Sequence, residues 1–174
     1  NVGIHPSITA YINFRKEDAL INLSAYKEGE GFPSPRSWEN LSKSIKIFND
    51  SDIIFDVAKG LVGAAAAIEF LSFYKMGDQF SSVIQSIIEG TLDPKDVPQD
   101  LEAIQVINSC LIAKKKELNK KEERLYQYFL AIRSKEVQFS TFKQLHQQCK
   151  NLINSTRVQK LWNEIKEEFK PYLI

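Results

Sequence analysis

Apolar residues recur along this chain at the three- and four-residue intervals of an α-helix, and nowhere do two alternating β-branched runs meet at an Asn-Gly or Asp-Gly turn. Trp38, Leu41, Ile45 and Phe48 form the clearest such row. Side chains on a strand alternate with a period of 2, so a period of about 3.6 residues puts such a row on one helix face and on no face of a sheet. The expected fold class is all-α.

Start and stop signals divide the pattern into helices. Proline is tolerated in a first turn, so His5-Pro6-Ser7 opens a helix carrying Ile8, Tyr11, Ile12 and Leu20 on one face. The segment NLSAYKEGEGFPSP breaks it. Ser34 caps the next helix with Pro35 at its first position, and that helix ends near Asn49. Asp52 caps a short helix through Lys59, closed by Gly60. Residues 63–74, with the run AAAAIEFLSFY, are apolar nearly all round and read as the central buried helix. Beyond Gly77 the signals predict helices over 78–89, closed by Gly90, from Asp100 to Lys115, and over 120–133, 140–151 and 155–169. Their buried stripes are Leu125, Phe129 and Ile132, then Phe142 and Leu145, then Val158, Leu161, Trp162 and Ile165. A shift in composition at Lys75-Met76-Gly77 sets the expected boundary between domains 1–77 and 78–174.

The 174 residues are enough for one ordinary domain or two small ones, which excludes a disulfide-stapled miniprotein. A formal net charge of +1 supplies no global field to attract nucleic acid or an anionic membrane. The longest apolar stretch, 61–74, is interrupted by Glu69 and is shorter than the roughly 20 residues a bilayer span needs. The amino terminus lacks the basic start and cleavage site of a signal peptide, and the single methionine is Met76. Asn1 is therefore not read as an initiator, and a fragment of a longer protein is expected. N-x-S/T sequons begin at Asn22, Asn40, Asn49 and Asn154 but matter only in a secreted chain, and two scattered cysteines make no disulfide framework. The expected location is a reducing cytoplasm.

No G-x-x-x-x-G-K-[ST] phosphate loop occurs, so the chain alone is not expected to hydrolyse ATP. His5 and His146 lie in no triad context, and no catalytic residue is assigned. His146 and Cys149 stand three apart, yet a structural zinc takes four ligands and no second pair is present, so no metal site is assigned. In KKKELNKKEER, Lys114, Lys115, Lys116, Lys120, Lys121 and Arg124 outnumber three glutamates, but Glu117 precedes Lys121 by four residues as on a solvated helix face. Nucleic acid is not the expected partner. Arg36 is locally awkward, because it falls in the first turn after Ser34-Pro35 where unpaired amides and the helix dipole are already positive. Either an internal carboxylate, from Glu39, Glu28 or Glu30, or a bound phosphate would relieve it.

The segments IHPSITAYINFRKEDAL, GFPSPRSWENLSK and LVGAAAAIEFLSFYK, in this order and spacing, resemble the region following the ATPase core in MoxR-like AAA+ ATPases. VPQDLEAI and INSTRVQKLW resemble the helical tail of the same proteins, so the likeness covers most of the chain. It implies a four-helix AAA+ lid-like subdomain followed by a C-terminal helical extension. The SPRSW stretch matches the family's second sensor, which puts Arg36 against the γ-phosphate with Ser34, Pro35 and Trp38 supporting the helix start. The resemblance further implies an upstream ATPase core in the same polypeptide that binds ATP and Mg, neighbouring subunits in a ring oligomer, and a client protein. No cofactor is expected in the isolated chain. Two other readings compete: a freestanding helical protein–protein interaction module without nucleotide contact, and a nucleic-acid adaptor using Lys114 to Arg124.

Overall fold

Side chains that satisfy the first unpaired amides set most of the helix starts. The computed structural model describes residues 3–48, 50–118, 123–148 and 155–169, and every regular element among them is helical. The chain divides into two compact units, Asn1–Asp78 and Gln79–Ile174.

In the first unit α1 (Pro6–Arg15) is capped by His5, whose Nδ1 accepts from the Ser7 amide at 3.3 Å. It does not continue to Leu20. Lys16 takes a positive φ of 65° and separates α1 from the short α2 (Glu17–Leu20). A 3-10 turn over Leu23–Ala25 and a loop lead to α3 (Pro35–Ile45), which ends before Phe48. Trp38, Leu41 and Ile45 are buried as their spacing requires, whereas Phe48 is 37% exposed. The next helix, α4 (Ser51–Val62), is capped by Asp50 and not Asp52, since Asp50 Oδ1 accepts from the Asp52 and Ile53 amides. Asp52 falls in the first turn, where its charge favours the dipole. Gly60 does not close α4. A helical glycine costs only about 1 kcal/mol, and the stop comes at Gly63, whose φ of 83° no side chain accepts comfortably.

The helix α5 (Ala64–Gln79) likewise runs through Gly77. It buries Ala67, Phe70 and Phe73 and exposes Ala64, Ala65, Ile68 and Ser72, so it is one-sided and not the wholly buried helix expected. Alanine misled the reading, because its methyl group is tolerated in water at little cost. Around these helices the core is aromatic. Tyr11, Trp38 and Phe70 touch mutually, with centroids 5.4, 5.5 and 5.7 Å apart, each pair worth about 0.5–1.5 kcal/mol beyond area burial.

The second unit comprises α6 (Ser81–Glu89), a 3-10 turn over Pro94–Asp96, α7 (Leu101–Ala113), α8 (Lys115–Leu118), α9 (Glu123–Ala131), α10 (Lys135–Gln148) and α11 (Thr156–Phe169). Gly90 closes α6 in the left-handed region and Asp100 caps α7, as their positions suggest. The helix α10 begins five residues earlier than expected, because the Ser134 hydroxyl accepts from the Val137 amide. Leu125, Phe129, Ile132, Phe142, Leu145, Val158, Leu161 and Ile165 join one core, with Trp162 half-buried against Phe142 at 4.2 Å.

Candidate functional site

The start of α3 is fixed atom by atom. Ser34 is extended, its hydroxyl accepts from the Ser37 amide at 3.2 Å, and Pro35 takes the first helical position with its φ already set. The sequence reading missed Ser37. Its buried Oγ accepts from the Ser34 amide at 2.9 Å and from the Ser34 hydroxyl at 3.1 Å. Its single hydrogen serves the Phe32 and Ser34 carbonyls, both at 2.9 Å. This is a reciprocal capping box in which serine replaces the usual Glu or Gln, so the S-x-x-E signature could not reveal it. One residue on, Trp38 is buried and its indole N–H donates to the Ala19 carbonyl at 2.8 Å.

Arg36 stands exposed on this frame and makes no hydrogen bond or ion pair among the described residues. Two of the three carboxylates that could have relieved it pair with lysines instead, and the third, Glu28, is exposed. Glu39 pairs with Lys43 at 2.9 Å, and that hydrogen bond and charge lower its carboxyl below the usual range, with a smaller contribution from Arg36. Glu30 lies 3.9 Å from Lys27. Ser34, Pro35 and Trp38 thus lie in the same helix start as Arg36, whose side chain is exposed.

The loop before α3 crosses the α4–α5 turn with no room to spare. A Cβ on Gly31 would lie 2.8 Å from the Leu61 carbonyl carbon and closer to the Gly60 oxygen, and one on Gly63 would lie 2.6 Å from the Gly31 oxygen. Beside this crossing is a cleft of about 610 Å³, lined in part by Arg15, Lys27, Glu30, Glu69 and the first turn of α5. Arg15 and Glu69 pair across it at 2.5 Å, and the Tyr11 hydroxyl donates to Glu69 at 3.3 Å. Burial, then the Glu69 charge, pushes the Tyr11 phenol up to about 12. Two cations facing two carboxylates leave the cleft without a net field.

The other candidates are described only in part. Arg124 is half-buried and donates to the Ile88 carbonyl at the end of α6, so it is a helix cap and not part of an open basic strip. Lys120 and Lys121 lie outside the described residues, as do Cys149, Asn49 and Asn154. His146 is exposed. Among the described residues no group of three or more His, Cys, Asp or Glu could hold a metal, and no helix is long and apolar enough to cross a membrane. No family model, curated protein or solved structure matches the chain.

Proposed function

We propose that the first unit is the lid of a MoxR-like AAA+ ATPase, that Arg36 is its γ-phosphate sensor, and that the second unit is the helical extension. The supporting observation is the open Arg36 guanidinium at the second position of a locked helix start, where the helix dipole favours an anion although the Ser34, Ser37 and Trp38 amides are already bonded. The residues suit one phosphate contact and no more. The phosphate loop, the Mg-binding acid and the arginine finger belong, on this reading, to an upstream core of the same cytoplasmic polypeptide.

Arg36 would hold the closed lid by a charge-assisted bond that weakens when the γ-phosphate leaves. A ligand shifts a conformational equilibrium only by its differential affinity for the two states, and Arg36 supplies that difference. The lid's change of angle would then reach a neighbouring ring subunit and a client protein.

The test begins with the reading frame upstream of Asn1, which should encode G-x-x-x-x-G-K-[ST]. In the full-length protein Arg36→Ala should lower ATP turnover by about 10- to 100-fold while leaving the melting temperature nearly unchanged. Arg36→Lys should recover only part, because an ammonium presents no planar fork. A variant that melts lower and hydrolyses ATP at the normal rate would reduce SPRSW to a helix cap and favour the interaction-module reading.

A further inference from the structure

Residues 31–38 are more constrained than a helix cap requires. Gly31 is pressed against the α4–α5 turn, Pro33 is buried with its φ fixed, and Pro35 is fixed in the same way. The Ser37 hydroxyl ties Phe32 to Ser34, and Trp38 is pinned to the Ala19 carbonyl. Within this stretch the only charged side chain is Arg36, and it is exposed. The reciprocal Ser34 and Ser37 bonds cap α3; the Gly31 crossing and the Ser37 donation to the Phe32 carbonyl go beyond a cap, and remove angular freedom from the backbone that leads into the residue bearing the guanidinium.

We infer that Gly31 and Ser37 are positioning residues for Arg36, fixing the start of α3 against the α4–α5 turn so that the guanidinium meets a phosphate without searching for it. The inference rests on the sensor reading of Arg36. A displacement of about 1 Å at an oriented contact can cost up to about 100-fold, so small backbone shifts at Gly31 or Ser37 should be read out at the phosphate. The Gly31 crossing also sets the backbone at the end of α4 and at Gly63, just before α5, against the loop that leads into α3, so a shift there would reach the helix that carries Arg36 without passing through a side chain.

The experiment uses the full-length protein and measures its affinity for ATPγS relative to ADP, together with turnover. Gly31→Ala and Ser37→Ala are each made alone and in the Arg36→Ala background. Each single variant should lower the triphosphate preference by about 10-fold, and neither should lower it further once Arg36 is gone. Ser37→Ala keeps the glycine crossing, so it carries the test if Gly31→Ala does not fold. Equal losses in both backgrounds, or none in either, overturn the positioning role. Arg36→Ala retaining the normal ATPγS preference, or a reading frame without a phosphate loop, removes the sensor reading itself and this role with it.

Discussion

The Trp38 indole N–H reaches back 19 residues to donate to the Ala19 carbonyl at 2.8 Å, joining the interior of α3 to the short helix α2. Both groups are buried. Trp38→Phe would keep most of the aromatic contact with Tyr11 and Phe70 but leave that carbonyl without a donor, at a cost of about 1–3 kcal/mol. Urea unfolding followed by circular dichroism should show a loss of that size; a change under about 0.5 kcal/mol would mean that another donor reaches Ala19.

In the second unit Tyr128 is fully buried and its hydroxyl donates to Asn108 Oδ1 at 2.9 Å. Asn108 Nδ2 in turn donates to Thr141 and to Gln144, at 3.2 and 3.1 Å, so one amide ties α7 to α9 and α10. Tyr128→Phe should destabilise the chain by about 1–3 kcal/mol, because it strands an acceptor inside an apolar core. Asn108→Leu together with Tyr128→Phe should cost less than the two single changes added, and additive losses would show that the network is not coupled.

The glycines of the first unit separate a tolerated position from a required one. Gly60 lies within α4 with nothing within 4 Å of an added Cβ, so Gly60→Ala should stabilise the chain by about 0.5–1 kcal/mol. Gly31→Ala should destabilise it, because the added carbon meets backbone and not a yielding side chain. Paired urea titrations decide this, and the same sign for both variants would contradict the crossing.

Which parts were legible in the sequence follows from the range of each signal. The all-α class and the buried rows of α3, α9 and α11 were readable because a helix face is a local, periodic property, as Trp38-Leu41-Ile45 and Val158-Leu161-Ile165 show. Asp100, Gly90 and Ser34 mark helix ends through their own chemistry. The ends of α4 were misplaced by two and three residues: Asp50 and not Asp52 is the cap, and Gly63 and not Gly60 is the stop, because residues of the same type stand close by. The openness of Arg36 was also beyond it. Whether Glu39 turns toward Arg36 or toward Lys43 depends on competing side-chain geometries that a residue count does not contain. The Gly31 crossing was least visible, since Gly60 and Gly63 lie about thirty residues away and nothing local marks their meeting.

The cap of α1 should make stability depend on pH in a direction that can be worked out. His5 Nδ1 accepts from the Ser7 amide at 3.3 Å and lies 2.7 Å from the Ser7 hydroxyl, and only an unprotonated nitrogen can accept. Burial lowers the His5 pKa from its ordinary 6.5, and the Lys46 charge lowers it further; that ammonium is held close by donating to the Gly3 carbonyl. Between the lowered folded value and 6.5 the unfolded chain binds more protons than the folded one, so stability rises with pH in that window. The cap's contribution is complete above about pH 6.5 and is lost as the pH falls through the folded value. His5→Asn supplies the control, because asparagine is a good N-cap and does not titrate. Urea unfolding of both proteins at several points between about pH 7.5 and pH 5 should show the wild type losing stability relative to His5→Asn as the solution is acidified. Parallel curves would mean that the protonated ring is accommodated and that the α1 cap does not depend on the imidazole acceptor.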